Sequence, residues 1–183
     1  TLVLVTDFIK ALREKIKKEF ENRNLECSED TLKILTNACI KYTMLNVSRN
    51  KIVNFNFDNA TSFTGESAIY ILYSIVRINS ILRNNKYENT EIKLTDELEY
   101  QIVKDLIEFP SLVNDLLVTS EPVLLTKYIF NLTQKFSSYY EKVNISNITD
   151  VQIKNSKLLL LEAIKIVLTN GLSILGIKTI EKM

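Results

Sequence analysis

Two tyrosines and an arginine follow a glycine at helical spacing, and side chains of these types can bind RNA. The segment reads GESAIYILYSIVRINSILRN, residues 65–84. On a helical wheel one stripe contains Ser67, Tyr70, Ser74 and Arg77, and Tyr73 borders it. Tyrosine rings and guanidinium planes stack on unpaired bases, and arginine also contacts phosphates. The alternative is that the tyrosine rings pack in the core with their hydroxyls in water and that the arginine is a surface ion; the wheel alone favours this alternative.

The composition excludes most enzyme chemistry for these residues. The 183 residues contain no histidine and two cysteines, Cys27 and Cys39. This excludes Ser-His and Cys-His nucleophile pairs, zinc sites with several nitrogen or sulfur ligands, and a disulfide framework. Both cysteines are expected to be small buried side chains in a reducing compartment. The net charge of +1 predicts that any nucleic acid binds a local patch and not the whole surface.

Hydrophobic periodicity predicts an all-α fold, a bundle of six or seven helices with one short extended insert. The first predicted helix covers residues 8–24 and follows a cap at Thr6 and Asp7. Another helix is predicted to have Pro110 in its first turn. The remaining predicted helices cover residues 28–47, 66–84, 95–109, 120–143 and 151–175. Residues 1–5, TLVLV, are typical of a strand. In the insert KIVNFNFD, residues 51–58, Val53, Phe55 and Phe57 alternate with asparagines, and Asp58 is expected to cap a short helical turn.

Two other segments have a mainly structural interpretation. The basic residues of the first helix, Arg13, Lys15, Lys17 and Lys18, are expected to form a solvated face, with phosphate binding as the minor alternative. The last helix contains Leu158–Leu161, which predicts that it is central, and Gly176 is expected to end it in the left-handed conformation. No apolar run reaches membrane-spanning length and no signal peptide is visible, so the sequence predicts an intracellular protein without a membrane contact.

Three segments resemble arginyl-tRNA synthetases in order and spacing. FDNATSFTGESAIYILYSIVRINSILRN, residues 57–84, is similar to the family pattern F-x-x-x-x-x-F-x-G-x-T-x-x-Y-x-Q-Y-x-x-x-R. YIFNLTQKFSSYYE, residues 128–141, is similar to the Y-L-Y-x-L-A-x-x-F-x-x-F-Y-E helix of the family. NSKLLLLEAIKIVLTNGLSILGIKTIEKM, residues 155–183, resembles its leucine-rich last helix, K-x-G-L-x-x-L-G-I stretch and terminal methionine. TLVLVTDFIKAL resembles the continuation of the family's catalytic domain.

The resemblance implies the carboxyl-terminal anticodon-binding domain of a class Ia synthetase. Residues 1–25 would then be the strand and helix that follow the catalytic domain, and residues 26–183 the anticodon-binding domain. The partner would be arginine tRNA, and the full-length enzyme would be a monomer in the cytoplasm, with an organellar form left open. No cofactor is expected in this segment, since ATP and magnesium would bind the catalytic domain.

The resemblance also implies which residues meet the anticodon loop: Tyr70, Tyr73, Arg77, Tyr140 and Met183. Two departures make the site less polar, because Ile69 stands where the family commonly has proline and Leu72 where it has glutamine. Four other matching positions are expected to be structural: Gly65 as a turn, Phe136 as a core aromatic, Gly171 for close helix packing and Gly176 as a cap.

Two alternatives remain open at this point. One is the anticodon-binding domain of another class I synthetase, for cysteine or methionine. The other is a non-enzymatic helical scaffold that binds proteins, for which an exposed apolar groove is expected in place of the tyrosines and arginine. If the anticodon prediction is right, Tyr70 and Tyr140 should share one concave surface near Met183, and antiparallel packing of their helices is expected to bring them together.

Overall fold

A computed structural model describes residues 4–88 and 91–183 of the chain, and these residues form helices and loops without a strand. The helices are α1 Val5–Glu21, α2 Glu29–Leu45, α3 Phe57–Ala60, α4 Ala68–Asn84, α5 Glu97–Thr119, α6 Pro122–Lys142 and α7 Val151–Ile174, and a 3₁₀ turn covers Ile145–Asn147. The predicted all-α bundle is therefore confirmed. None of the described helices combines the length and the apolar character needed to cross a membrane.

The predicted boundary between the amino-terminal strand, residues 1–5, and the first helix, residues 8–24, was wrong. Thr1, Leu2 and Val3 of the predicted strand lie outside the described residues, but α1 already begins at Val5, with Leu4 as its extended N-cap residue and no side-chain cap. The helix starts earlier than its apolar spacing indicates because Asp7, expected as part of the cap, lies in the first turn, where a negative charge stabilises the helix N-terminus.

Helix α5 runs through Pro110, although a break after Phe109 was predicted. Proline removes one backbone donor and usually ends a helix. Here tertiary contacts hold both sides of that position: the Tyr128 hydroxyl donates to the Asp105 carbonyl at 2.7 Å, and the rings of Phe109 and Tyr128 lie 5.6 Å apart. Leu112 and Leu116 continue the same apolar face beyond the proline. Packing against α6 thus outweighs the local preference.

The insert between α2 and α4 has the predicted alternation, with Val53, Phe55 and Phe57 half-buried. Phe8 of α1 holds it, since its ring lies 4.8 Å from that of Phe55 and 5.3 Å from that of Phe57. The cap of α3 is Asn56 and not Asp58, because the Asn56 side chain accepts the Asn59 N–H at 3.0 Å.

Helix α7 is central, as Leu158–Leu161 predicts, and packs against α4, α5 and α6. A Cβ atom added at Gly171 would lie 2.8 Å from Ile129 Cδ1 of α6, so α6 and α7 pack closely at this glycine and a larger residue would displace the Ile129 side chain. Gly176 has φ +67° and follows the helix as expected, and Lys41 of α2 donates to its carbonyl. The chain beyond α7 is therefore anchored on α2, with Ile177 and Ile180 buried.

Candidate nucleic-acid interface

The turn before α4 fixes where the helix of the tyrosine stripe begins. The Ser62 hydroxyl accepts the N–H groups of Thr64 at 3.2 Å and Gly65 at 3.0 Å. Ser67 is the N-cap residue, and its hydroxyl accepts the Tyr70 N–H at 3.1 Å and donates to the Ser62 carbonyl. Gly65 is a turn residue as expected, but its φ is outside the left-handed region; it is small because a Cβ would lie 3.3 Å from Ser62 Oγ.

The polar stripe is narrower in the structure than on the helical wheel. Ser67 and Ser74 are buried; one caps the helix, and the other donates to the Tyr70 carbonyl at 2.9 Å. Short hydroxyl side chains often bond to the backbone of their own helix in this way. The side chains of α4 that remain available on this face are therefore Tyr70, Tyr73 and Arg77, which are all half-buried.

Tyr70 joins α4 to α6. Its hydroxyl donates to Ser137 Oγ at 2.7 Å, and its ring meets that of Phe130 edge-on, with centroids 6.0 Å apart. The hydroxyl donor is already used within the protein, and the ring is partly exposed to a ligand. The core alternative from the sequence, a buried ring with its hydroxyl in water, is therefore wrong for the hydroxyl of Tyr70, which is bonded to Ser137.

Tyr73, Arg77 and Tyr140 form an open cluster, a cation held between two aromatic rings. The Arg77 Cζ atom lies 4.5 Å from the Tyr73 ring centroid and 5.2 Å from that of Tyr140. Arg77 Nη2 also donates to the Tyr73 hydroxyl at 3.3 Å. Among the described residues Arg77 has no carboxylate within ion-pair distance, and Tyr140 is 40% exposed. An unpaired cation beside an accessible ring suits stacking on a base and binding of a phosphate.

The directions of α4 and α6 differ from the expected antiparallel arrangement. Tyr70 meets Phe130 and Ser137, and Arg77, further along α4, meets Tyr140, further along α6. The two helices therefore run in the same direction, because the intervening α5 returns the chain. Beyond the open cluster their carboxyl ends border a cavity of about 470 Å³, whose lining includes Asn84, Asn85 and Asn144.

Met183 is partly buried and packs against the hydrophobic core. The contacts that join Tyr70, Tyr73, Arg77 and Tyr140 to α4 and α6 do not include it within the described part of the chain. Phe136 is fully buried, as predicted, and its ring lies 6.0 Å from that of Tyr140, so it supports the exposed tyrosine from the core side.

A buried cluster of Glu99, Tyr139 and Lys157, bordered by the exposed Thr95, lies behind the interface. Lys157 Nζ forms an ion pair with Glu99 and donates to Thr95 Oγ1 at 2.9 Å. Glu99 also accepts the Tyr139 hydroxyl at 2.9 Å and the Thr95 N–H at 2.7 Å. Glu99 and Tyr139 are each 1% exposed. The cluster ties α5, α6 and α7 together at the turn of α6 that carries Tyr140.

The pKa of Glu99 reflects these partners. Burial alone raises the pKa of its carboxyl, but the hydrogen bonds from Lys157, the Thr95 backbone and Tyr139 outweigh burial, and the pKa lies below its ordinary value. This cluster was not predicted from the sequence. Two signals pointed to it: Glu99 follows the N-cap Asp96 by three residues, as in a capping box, and Lys157 interrupts the most apolar helix directly before its leucines.

The other predicted features have ordinary structural roles. On α1, Arg13 and Lys17 pair with Glu29, and Lys15 pairs with Asp58 at 2.7 Å, which agrees with a solvated face. Cys39 is buried and Cys27 is half-buried. Among residues 4–88 and 91–183 no group of three or more acidic, cysteine or histidine side chains could hold a metal ion.

A helical bundle with a partly exposed cluster of aromatic rings and an arginine on two adjacent helices has side chains of the types that nucleic-acid-binding modules use. The family model "DALR anticodon binding domain" matches residues 71–183. This match covers more than half of the chain, and the chain belongs to the DALR anticodon-binding domain family. The match begins within α4, so the division into residues 1–25 and 26–183 stays a prediction.

Similar proteins extend the likeness to the whole chain. An arginine–tRNA ligase of Wigglesworthia glossinidia brevipalpis is 33% identical over 190 residues, which is 99% of this chain and 33% of that protein. An arginine–tRNA ligase of Clostridium beijerinckii is 32% identical over 100% of this chain and 33% of its own length. The chain thus spans about a third of the length of these curated relatives.

Solved structures show the same fold. The arginyl-tRNA synthetase of Plasmodium falciparum superposes with a TM-score of 0.82 and 29% identity, over 100% of this chain and 34% of that one. The Thermus thermophilus arginyl-tRNA synthetase has a TM-score of 0.90 at 21% identity, over 99% of this chain and 32% of that one. The second likeness concerns the fold alone.

Proposed function

We propose that this chain is the anticodon-binding part of an arginine-tRNA ligase and binds the anticodon loop of arginine tRNA. The observation that carries the proposal is the open cluster, in which Arg77 lies between Tyr73 and Tyr140 on the fold of this family. The names of the relatives support arginine over cysteine or methionine. The exposed polar cluster favours RNA over the protein-binding scaffold, which needs an apolar groove at this place.

Each side chain of the cluster is proposed to have a different role in binding. Tyr140 offers an exposed ring on which an unpaired base can stack. The Arg77 Cζ atom lies over the rings of Tyr73 and Tyr140, and the guanidinium N–H groups are its means of contacting a phosphate or a base edge. Tyr70 and Tyr73 complete the aromatic surface, and the thioether of Met183 is proposed to pack against a base in the complex.

The rest of the reaction is proposed to take place elsewhere in a longer polypeptide. A catalytic domain like that of the related ligases would bind ATP, arginine and magnesium. The residues described above would take part only in tRNA binding. Residues 1–25 would connect the two parts. We further propose a monomeric enzyme in the cytoplasm, a reducing compartment that suits the free thiols of Cys27 and Cys39.

The test is a titration of the 183-residue chain with fluorescently labelled tRNAs at several salt concentrations. Arginine tRNA should bind more tightly than the same tRNA with a substituted anticodon, and more tightly than an unrelated tRNA. Affinity should fall with salt, with a shallow slope because few phosphates are neutralised. Equal affinity for the three RNAs at every salt concentration would contradict the proposed function and favour a scaffold.

A further inference from the structure

The aromatic contacts of the open cluster continue past it to the end of α1. The ring of Tyr73 meets that of Phe63 at 5.6 Å, and the Arg23 Cζ atom lies 4.4 Å from the Phe63 centroid. Arg23, Phe63, Tyr73, Arg77 and Tyr140 therefore form one row, with consecutive contacts of 4.4 to 5.6 Å. We call it the cation–aromatic row. Two arginines without a carboxylate partner among the described residues belong to this row: Arg23 at one end, and Arg77 between Tyr73 and Tyr140.

The backbone holds Arg23 in place. After α1 the Asn24 N–H donates to the Glu21 carbonyl and the Leu25 N–H to the Phe20 carbonyl, both at 3.0 Å, with Asn24 in the left-handed region at φ 54°. This pattern of bonds is the Schellman closure of a helix end. Phe20, three residues before Arg23, meets Phe63 at 5.5 Å. The guanidinium is thus placed over the Phe63 ring by a closed turn.

Arg23 differs from the basic residues of α1 in combining a free charge with an aromatic contact. Arg13, Lys15 and Lys17 each have a carboxylate partner. Lys10 and Lys18 have none at ion-pair distance within the described part of the chain, but neither of them lies over an aromatic ring there, as Arg23 does. Arg23 is exposed, and within the described part of the chain it has no carboxylate at ion-pair distance. Its positive charge is therefore available to an anion, while its Cζ atom stays over the Phe63 ring.

We propose that Arg23 binds a backbone phosphate of the same RNA, so that the RNA surface extends along the cation–aromatic row from α6 to the end of α1. The proposal rests on the proposed function. Phe63 is only 5% exposed, so no base can stack at this end, and the contact is ionic and independent of base identity. Guanidinium N–H groups bind phosphate oxygens in fixed, often bidentate geometry. Arg23 would position the RNA, while the open cluster reads its unpaired bases.

The experiment compares Arg23→Gln, in the turn after α1, with Arg13→Gln, a matched loss of one charge within α1 at a residue already paired with Glu29. The probe is labelled arginine tRNA, titrated between low and moderate salt. Loss of one phosphate contact should make the slope of log K against log salt shallower by about 0.7 to 0.9. Arg13→Gln should leave the slope unchanged. Arg23→Lys keeps the charge and should restore it, and thermal unfolding of each variant separates binding from folding.

The possible outcomes distinguish this inference from the function on which it rests. If the wild type prefers arginine tRNA but Arg23→Gln keeps the wild-type slope and affinity, the Arg23 assignment is overturned and the proposed function stands. If the wild type shows no preference between tRNAs, the proposed function fails, whatever Arg23 does. If Arg23→Gln unfolds, the comparison of Arg23→Lys with Arg23→Ala at a temperature where both are folded decides, and equal slopes overturn the assignment.

Discussion

Two neighbouring residues of α6, Tyr139 and Tyr140, belong to clusters that use the same side-chain types in opposite ways. In the buried cluster Tyr139 and Lys157 meet a carboxylate, Glu99, and every polar group has a partner inside the protein. In the open cluster Tyr140 lies beside Arg77, which has no carboxylate within ion-pair distance among the described residues. The two clusters differ in whether a carboxylate lies beside the cation. A paired cation stabilises the bundle, and an unpaired one is left for a ligand.

The largest expected effect comes from breaking the buried cluster. Lys157→Ala leaves the Glu99 charge buried without its partner, and it should lower the free energy of unfolding by about 3 to 5 kcal/mol. Urea denaturation measures this loss. The matched control is Lys135→Ala, which removes a more exposed ion pair with Asp105 of 2.6 Å and should cost about 1 kcal/mol or less. Similar losses for both variants would show that burial does not distinguish these pairs.

The second effect concerns the open cluster. Tyr140→Ala should weaken binding of arginine tRNA by about 1 to 3 kcal/mol, roughly tenfold or more in the dissociation constant, because a stacking ring is lost. Stability in urea should change little, since the ring is 40% exposed. In the complete enzyme, arginine activation should stay nearly unchanged while tRNA binding falls. A variant that unfolds without a selective loss of binding would support a core role for Tyr140.

At the adjacent Tyr139 we expect the reverse pattern, a small loss of stability without a loss of tRNA affinity. Tyr139→Phe keeps the ring and removes only the hydroxyl that donates to Glu99 at 2.9 Å, so it should cost about 0.5 to 1.5 kcal/mol of stability. Affinity for tRNA should stay at the wild-type value. The comparison between the clusters breaks down if Tyr139→Phe weakens RNA binding as much as Tyr140→Ala does.

The smallest effect is the pH dependence of stability. The pKa of Glu99 is lower in the folded chain than its ordinary value of 4.5. Its contribution to stability is therefore complete above that ordinary value and is lost as the pH falls through the lowered folded pKa. Urea denaturation between pH 7 and pH 3 should show a flatter acid limb for Glu99→Gln than for the wild type. Parallel limbs would mean that Glu99 titrates alike in both states.

The sequence predicts the elements that carry their own local signals. Ser28 caps α2, Pro122 begins α6 and Gly176 follows α7, as the cap and turn preferences indicate. The continuation of α5 through Pro110 was missed because it depends on Tyr128, a contact from another helix. Periodicity describes one helix at a time, so no local pattern shows which distant helix packs against it.

The same limit applies to the two clusters. Tyr70, Tyr73, Arg77 and Tyr140 were singled out from the sequence by resemblance, and their role in anticodon binding stays a prediction. Lys157 and Glu99 were missed, because they are 58 residues apart in the chain and meet only after α5 and α7 pack. A wheel of α6 places Tyr139 and Tyr140 about 100° apart, but it cannot say which of the two faces a carboxylate.

The common direction of α4 and α6 has a consequence for the electric field at the end of the interface. Each helix has a partial negative charge at its carboxyl end, where the last carbonyl groups lack helical partners. Both ends border the cavity near Asn84 and Asn144, so their macrodipoles add there. Arg83 and Lys142 in the last turns carry positive charge and offset this potential, and Lys142 lies in the cavity lining itself. The partial negative charges of two helix ends and these cations therefore balance at the end of the interface, whereas the Arg77 charge beside it has no carboxylate at ion-pair distance among the described residues.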